Sequence, residues 1–199
     1  MRPFSTAFIL LLAALPGSAQ WRHFGKSPVR ATAALGVGGA TAVNPLARGL
    51  DAGWTVSGGA GLTNDSVGLM ANFTFAGFGI NHDTLVSQGA RHGDQKYWAA
   101  TIDPIVHVNE RGPVDFYLTG GGGIYGQITT LRATFAQQPR FDLRSSETHV
   151  RPGVDGGVGF AFNIDPRSRL KIFVEARYHH MLTEGQASSF VPVTLGVRF

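Results

Sequence analysis

Eight ionisable side chains in the second half of the chain could serve one another as partners: Asp103, Asp115, Arg151, Asp155, Lys171, Glu175, Arg177 and Arg198. Four are acids and four are bases. Brought together, they would form either a structural ion-pair network or a proton relay with a gate, and the close spacing of Glu175 and Arg177 invites the second reading. Buried charges persist when they are paired and hydrogen-bonded, so a structural network is the simpler account. Three further groups could do chemistry. His149, His179, His180, Ser188 and Ser189 include the residue types of Ser–His nucleophilic catalysis, but no motif links them. His82, Asp83 and His92 could share a metal ion; their spacing is irregular, and a polar loop explains them. Gly120-Gly121-Gly122-Gly123 would cradle a phosphate if a Lys-Ser/Thr pair and a helix start followed, and neither does. The residues therefore predict no catalysis, no metal and no cofactor.

The elements that must position the eight charges are strands. In the last ten residues Val191, Val193, Leu195, Val197 and Phe199 fall on one parity, and Pro192, Thr194, Gly196 and Arg198 on the other. A period of two places these sets on opposite faces of a strand. The same alternation predicts strands over 54–62, 67–80, 97–109, 114–128, 150–164 and 170–180, with a less patterned one over 31–43. Short turns fall at 63–66, 110–113 and 165–168, and longer loops at 44–53, 82–95, 131–148 and 182–188. Pro104 cannot donate to a ladder, which predicts a bulge at Asp103-Pro104. The tetraglycine run would clear room for an aromatic ring of a neighbouring strand.

The strand phases follow from the apolar residues alone, so the charges test them independently. All eight charges land on the face opposite the apolar one. A solvated sheet has no reason to exclude charge from one face so completely. In lipid, Arg or Lys at mid-depth costs about 2–4 kcal/mol. A closed barrel also removes the exposed edges that a terminal strand would otherwise leave. The expected architecture is all-β: an eight-stranded antiparallel up-and-down transmembrane β-barrel. Eight strands leave an interior just wide enough for side chains to fill. Trp54, Tyr97, Trp98 and Tyr178 suit the membrane–water girdles.

The 199 residues fit one domain. Charged residues make up 15% of the chain, against the roughly 25% of soluble domains, and there is no cysteine for a disulfide or thiolate site. Formal net charge is +4 with the bases scattered, so no nucleic-acid partner is expected. Residues 1–19 read as a signal peptide: Arg2, an apolar core from Phe8 to Leu15, and small residues ending at Ala19. Residues 20–30 make a short leader, and 31–199 the barrel domain.

The segments Trp98 to Ile105, Tyr117 to Tyr125, Gly153 to Phe160, Val174 to His179 and Phe190 to Phe199 resemble the small outer-membrane β-barrel proteins of diderm bacteria, the OmpA/OmpX/OmpW-like barrels. The resemblance implies a cell outer membrane location in contact with its lipid. It also implies that Val193, Leu195, Val197 and Phe199 form the signal read by the barrel-assembly machinery. The expected function is non-enzymatic, in envelope structure or surface-loop interaction, around a side-chain-filled lumen. Alternatives are a narrow OmpW-like channel for small apolar molecules and an outer-membrane lipid-modifying enzyme.

Overall fold

The computed structural model describes residues 28–43, 49–83, 92–109, 114–134, 142–164, 169–182 and 188–199. The strands are β1 (Arg30–Val43), β2 (Gly53–Thr63), β3 (Val67–Gly79), β4 (His92–His107), β5 (Val114–Thr134), β6 (Asp142–Asn163), β7 (Lys171–Met181) and β8 (Ser188–Arg198). Each pairs antiparallel with its sequence neighbours, and β8 pairs with β1 from Ala34↔Arg198 to Val43↔Ser189, so the sheet closes. Arg30 and Phe199 lie at one end of the barrel, hereafter the terminal end; the longer connections lie at the other, the loop end. At the terminal end, Asn64 makes the β2–β3 turn: its Oδ1 accepts the N–H groups of Ser66 and Val67, each at 2.9 Å. The turns expected at 110–113 and 165–168 lie outside the described residues.

The outer face is an apolar belt. Leu35, Val56, Leu69, Phe73, Ile102, Leu118, Val158, Val174 and Leu195 all stand exposed on it. So continuous an apolar surface would be a liability in water. Asp94 and Lys96 do face outward, but on the part of β4 nearer the loop end than the segment expected from the sequence. Inside, the barrel is filled unevenly. The facing wall of β1, β2 and β8 carries Ala34, Gly36, Ser57, Gly59, Thr194 and Gly196, while β4 to β7 send large side chains across. Phe173 shows why small residues are needed: a Cβ on Gly36 or Gly196 would lie 3.1 or 2.7 Å from its ring. The small-residue composition of β1 is thus the complement of Phe173 on β7.

Four expectations change. The loop expected at 131–148 is largely strand: β5 and β6 continue as a hairpin to Thr134↔Asp142. Pairing of β6 with β7 stops at Gly153↔Met181, so Asp142 to Pro152 have β5 as their sole strand partner among the described residues. Similarly, β4 begins at His92, inside the loop expected at 82–95. Beyond the bilayer a strand needs no apolar face, which is why these polar extensions carry no alternation. There is no bulge at Pro104. The β4–β5 register is the same at Ile102↔Gly122 and Ile105↔Thr119, so two pairings are lost without an inserted residue. Tyr97 is no girdle residue; it points inward and is buried, while Trp54 and Tyr178 stand on the outer face. The tetraglycine run serves backbone approach instead of an aromatic ring. A Cβ on Gly123 would lie 2.0 Å from the Ala100 carbonyl oxygen, and one on Gly121 2.4 Å from Asp103 Oδ1. Glycines elsewhere do clear rings, among them Gly153 for Tyr125 and Gly159 for Tyr117.

Candidate functional site

The barrel interior brings most of the charged candidates together, and it is layered along the barrel axis. The middle layer centres on Arg177 of β7. Its guanidinium donates to Asp103 Oδ2 across the lumen, to Asp155 Oδ1 at 3.3 Å and, through Nε, to Glu175 Oε1 at 3.0 Å. Asp103 also accepts from Asn72 Nδ2 at 2.6 Å and from the Thr101 hydroxyl at 2.8 Å. Glu175 accepts from the Tyr117 hydroxyl at 3.0 Å. Strands β3 to β7 all contribute. These side chains come together because each occupies the inward parity of its strand, and the register sets them at one height. A guanidinium suits this task, since its planar fork of donors can serve several carboxylates at fixed angles.

Toward the loop end the lumen turns aromatic. The Tyr125 hydroxyl donates to Asp155 Oδ2 at 3.2 Å and lies 3.2 Å from His179 Nδ1. The His179 Nε2 atom is buried and finds no partner among the described residues. His179 stacks on Phe190 with centroids 4.8 Å apart, and Phe190 packs against Tyr97 and Phe78 at 5.4 and 6.1 Å. Ala40, Ala42 and Met181 complete this apolar layer.

Toward the terminal end, Asp115 Oδ2 accepts from His107 Nδ1 at 2.8 Å and from Lys171 Nζ at 3.4 Å. Arg198 takes a different partner class: its guanidinium lies over the Tyr117 ring at 4.4 Å and beside the Phe173 ring at 5.3 Å. Of the eight charges read from the sequence, the structure thus gathers Asp103, Asp155, Glu175 and Arg177 into one cluster and Asp115 with Lys171 into a second. Arg198 joins neither carboxylate group, and Arg151 shares the inward parity of β6 but stands exposed at the loop end. Tyr117, Tyr125, His107, Asn72 and Thr101 were absent from the expected network although they complete it. Their signal is that same inward parity, which the charges alone do not reveal.

The other candidates are also placed. His180 Nδ1 lies 2.8 Å from Ser189 Oγ, and the Tyr178 hydroxyl donates to the same oxygen at 2.9 Å. This trio lies on the outward parity near the loop end. Ser189 is 1% exposed, and no carboxylate pairs with His180 among the described residues. His179, next in sequence, faces the lumen and is separated from it by the strand. Ser188 is buried at the start of β8, and His149 is exposed on the hairpin. His82 and Asp83 are exposed, the His92 side chain lies outside the described set, and among the described residues no three potential ligands cluster for a metal. Val193, Leu195 and Phe199 stand exposed on the outer face with Val197 between them.

Comparison with solved structures finds the same fold elsewhere. Neisserial surface protein A matches with a TM-score of 0.61 at 14% identity, over 86% of this chain and 97% of that one. Ail, the attachment invasion locus protein of Yersinia pestis, matches with a TM-score of 0.50 at 16% identity, over 85% and 99%. At such identities the likeness is one of fold. No curated protein matches the chain. The family model described as the outer membrane protein beta-barrel domain matches residues 5–199. With that match over a closed, eight-stranded antiparallel barrel, the chain belongs to the outer-membrane β-barrel domain family.

Proposed function

We propose that this is a non-enzymatic integral outer-membrane protein with a closed lumen, acting in envelope structure or through its loop-end surface. The observation that carries the reading is the double obstruction of the interior. The Arg177 cluster crosses the middle of the barrel, and the layer of Phe78, Tyr97, Phe190 and His179 lies above it. Opening a path would mean breaking a buried ion-pair cluster and unstacking rings. Barrels of this class carry short periplasmic turns and longer outer loops. The terminal end then faces the periplasm, and the β5–β6 hairpin rises outside the cell, extending past the end of the β6–β7 pairing, as a surface for contact. Residues 1–19 direct export and are removed by cleavage. The apolar belt contacts outer-membrane lipid, and Val193, Leu195, Val197 and Phe199 supply the contact read by the barrel-assembly machinery. A non-enzymatic role is supported by the burial of Ser189, which denies its hydroxyl to a substrate.

Planar-bilayer recording of the refolded full-length mature protein tests the closed lumen. The expected trace is flat, with no steady current in potassium chloride and no flux of small uncharged solutes. Reproducible conductance steps would overturn the closed-lumen reading and favour a narrow channel.

A further inference from the structure

We infer that the terminal end of the barrel holds a binding site for a phosphate-class oxyanion. A cavity of about 280 Å³ opens there, and Arg30, Arg169, Lys171, Arg198, His107 and Thr63 contribute to its wall. Four of these carry fixed positive charge, and among the described residues no Asp or Glu lines the cavity. The described carboxylates nearby have cationic or hydrogen-bonding partners. Asp115 holds His107 and Lys171 through Oδ2, while its Oδ1 has no partner among the described residues. Asp65 stands 3.9 Å from Arg30, with both side chains about half exposed. Phe199 O accepts from the Thr32 hydroxyl at 2.8 Å and from the Ala33 N–H at 3.3 Å.

Two observations point to an anion as the ligand. First, Lys171 and Arg198 are directly opposed in the β7–β8 register, both on the inward face. Like charges placed directly across a strand pair are destabilising. Asp115 reaches Lys171, and among the described residues no ion pair reaches Arg198. Second, Arg198 is 8% exposed and lines the cavity, held there by aromatic rings and by no carboxylate among the described residues. The rings of Tyr117 and Phe173 hold the guanidinium in place by stacking. An oxyanion seated between Lys171 and Arg198 would cancel the repulsion. A phosphate fits better than a carboxylate, because it offers more acceptor oxygens and up to two charges to a wall with several donors. The site faces the lumen, and the strands separate it from the acyl chains outside.

The test is calorimetric titration of the refolded barrel in a zwitterionic detergent with inorganic phosphate and with glycerol 3-phosphate, at constant ionic strength set by chloride. Saturable heat with at least one of the two is expected, together with a ligand-dependent rise of the unfolding midpoint. Arg198→Gln should weaken binding about tenfold, the loss of one charge-assisted hydrogen bond. Arg169→Gln, at an exposed position outside the strands, should weaken it severalfold while leaving the unliganded midpoint unchanged; it decides the matter if the Arg198 variant does not refold. Lys96→Gln, on the outer face near the other end, should bind as the native protein does. Tighter binding of glycerol 3-phosphate assigns the site to a soluble organic phosphate, and tighter binding of inorganic phosphate to the free ion. Heats that chloride reproduces, or unchanged affinity in both Arg198→Gln and Arg169→Gln, would overturn the inference.

Discussion

Replacing Arg177 with methionine should cost about 3–5 kcal/mol of barrel stability, the effect of breaking a buried ion pair by removing one partner. The cost arises in the folded state. Asp103, Asp155 and Glu175 would remain together in the lumen with no cation among them, and Asp103 and Asp155 side chains are fully buried. Tyrosine and asparagine donors would still reach the carboxylates, but they carry no charge. Urea unfolding of the refolded protein in detergent, followed by the heat-modifiable shift in gel mobility, measures the change. Two companions make the result specific. Asp155→Asn added to Arg177→Met should recover part of the loss, because one of the stranded charges is gone; the double-mutant cycle isolates that coupling. Arg151→Met should shift stability by no more than about 0.5 kcal/mol, as surface substitutions do. Equal losses at Arg151 and Arg177 would contradict the network described here.

The second large effect belongs to the outer face. Leu195→Arg and Val174→Arg each place a cation in the apolar belt, and each should cost about 2–4 kcal/mol at mid-depth in the bilayer. The two positions are register partners on β8 and β7, so they sample the same depth from adjacent strands. Thr194→Ser, one residue away, should fold normally. Thr194 faces the lumen, where its hydroxyl donates to the Glu175 carbonyl oxygen at 3.4 Å, and serine keeps that group. The readout is the yield of the heat-modifiable, protease-resistant form after refolding into phospholipid vesicles. Normal folding of both Arg variants would mean that this face does not contact lipid.

Alternation of side chains made most of the barrel legible in advance. Where a strand crosses the belt, as with Val193 and Leu195 on β8 or Val158 and Phe160 on β6, one face is apolar and the other is not, and strand and phase can be read together. Where that constraint ends, so does the signal. Residues 142–148 of β6 lie beyond the belt, the sequence there does not alternate, and the pattern reads as loop. β1 was weakly marked for another reason: its inward residues are small because Phe173 and Arg198 arrive from other strands, a fact that no local window contains. Pro104 misled for want of the pairing context. The strand loses two ladder positions to β5 and keeps Leu69↔Pro104 with β3, with no residue inserted.

The site was legible by face and not by height. Parity placed the eight charges inward, but register decides which of them meet. Arg177 reaches three carboxylates because Gly157↔Arg177 sets it beside the Asp155 level and across from Asp103. Arg198 sits two inward positions nearer the terminal end than Thr194, the partner of Glu175, and finds rings there in place of acids. Glycine spacing carried a further signal: Gly159 and Gly153 mark where Tyr117 and Tyr125 turn inward against β6.

The claim on which everything else depends is that the β8 alternation is an alternation between lipid and lumen. The chain has no cysteine, so single cysteines at Val191, Pro192, Val193, Thr194 and Leu195 can each carry a fluorophore in the barrel refolded into vesicles containing a spin-labelled lipid. The account predicts strong quenching at Val191, Val193 and Leu195 and weak quenching at Pro192 and Thr194, a period of two. Quenching that is uniform along the strand, or strongest at Pro192 and Thr194, would contradict it.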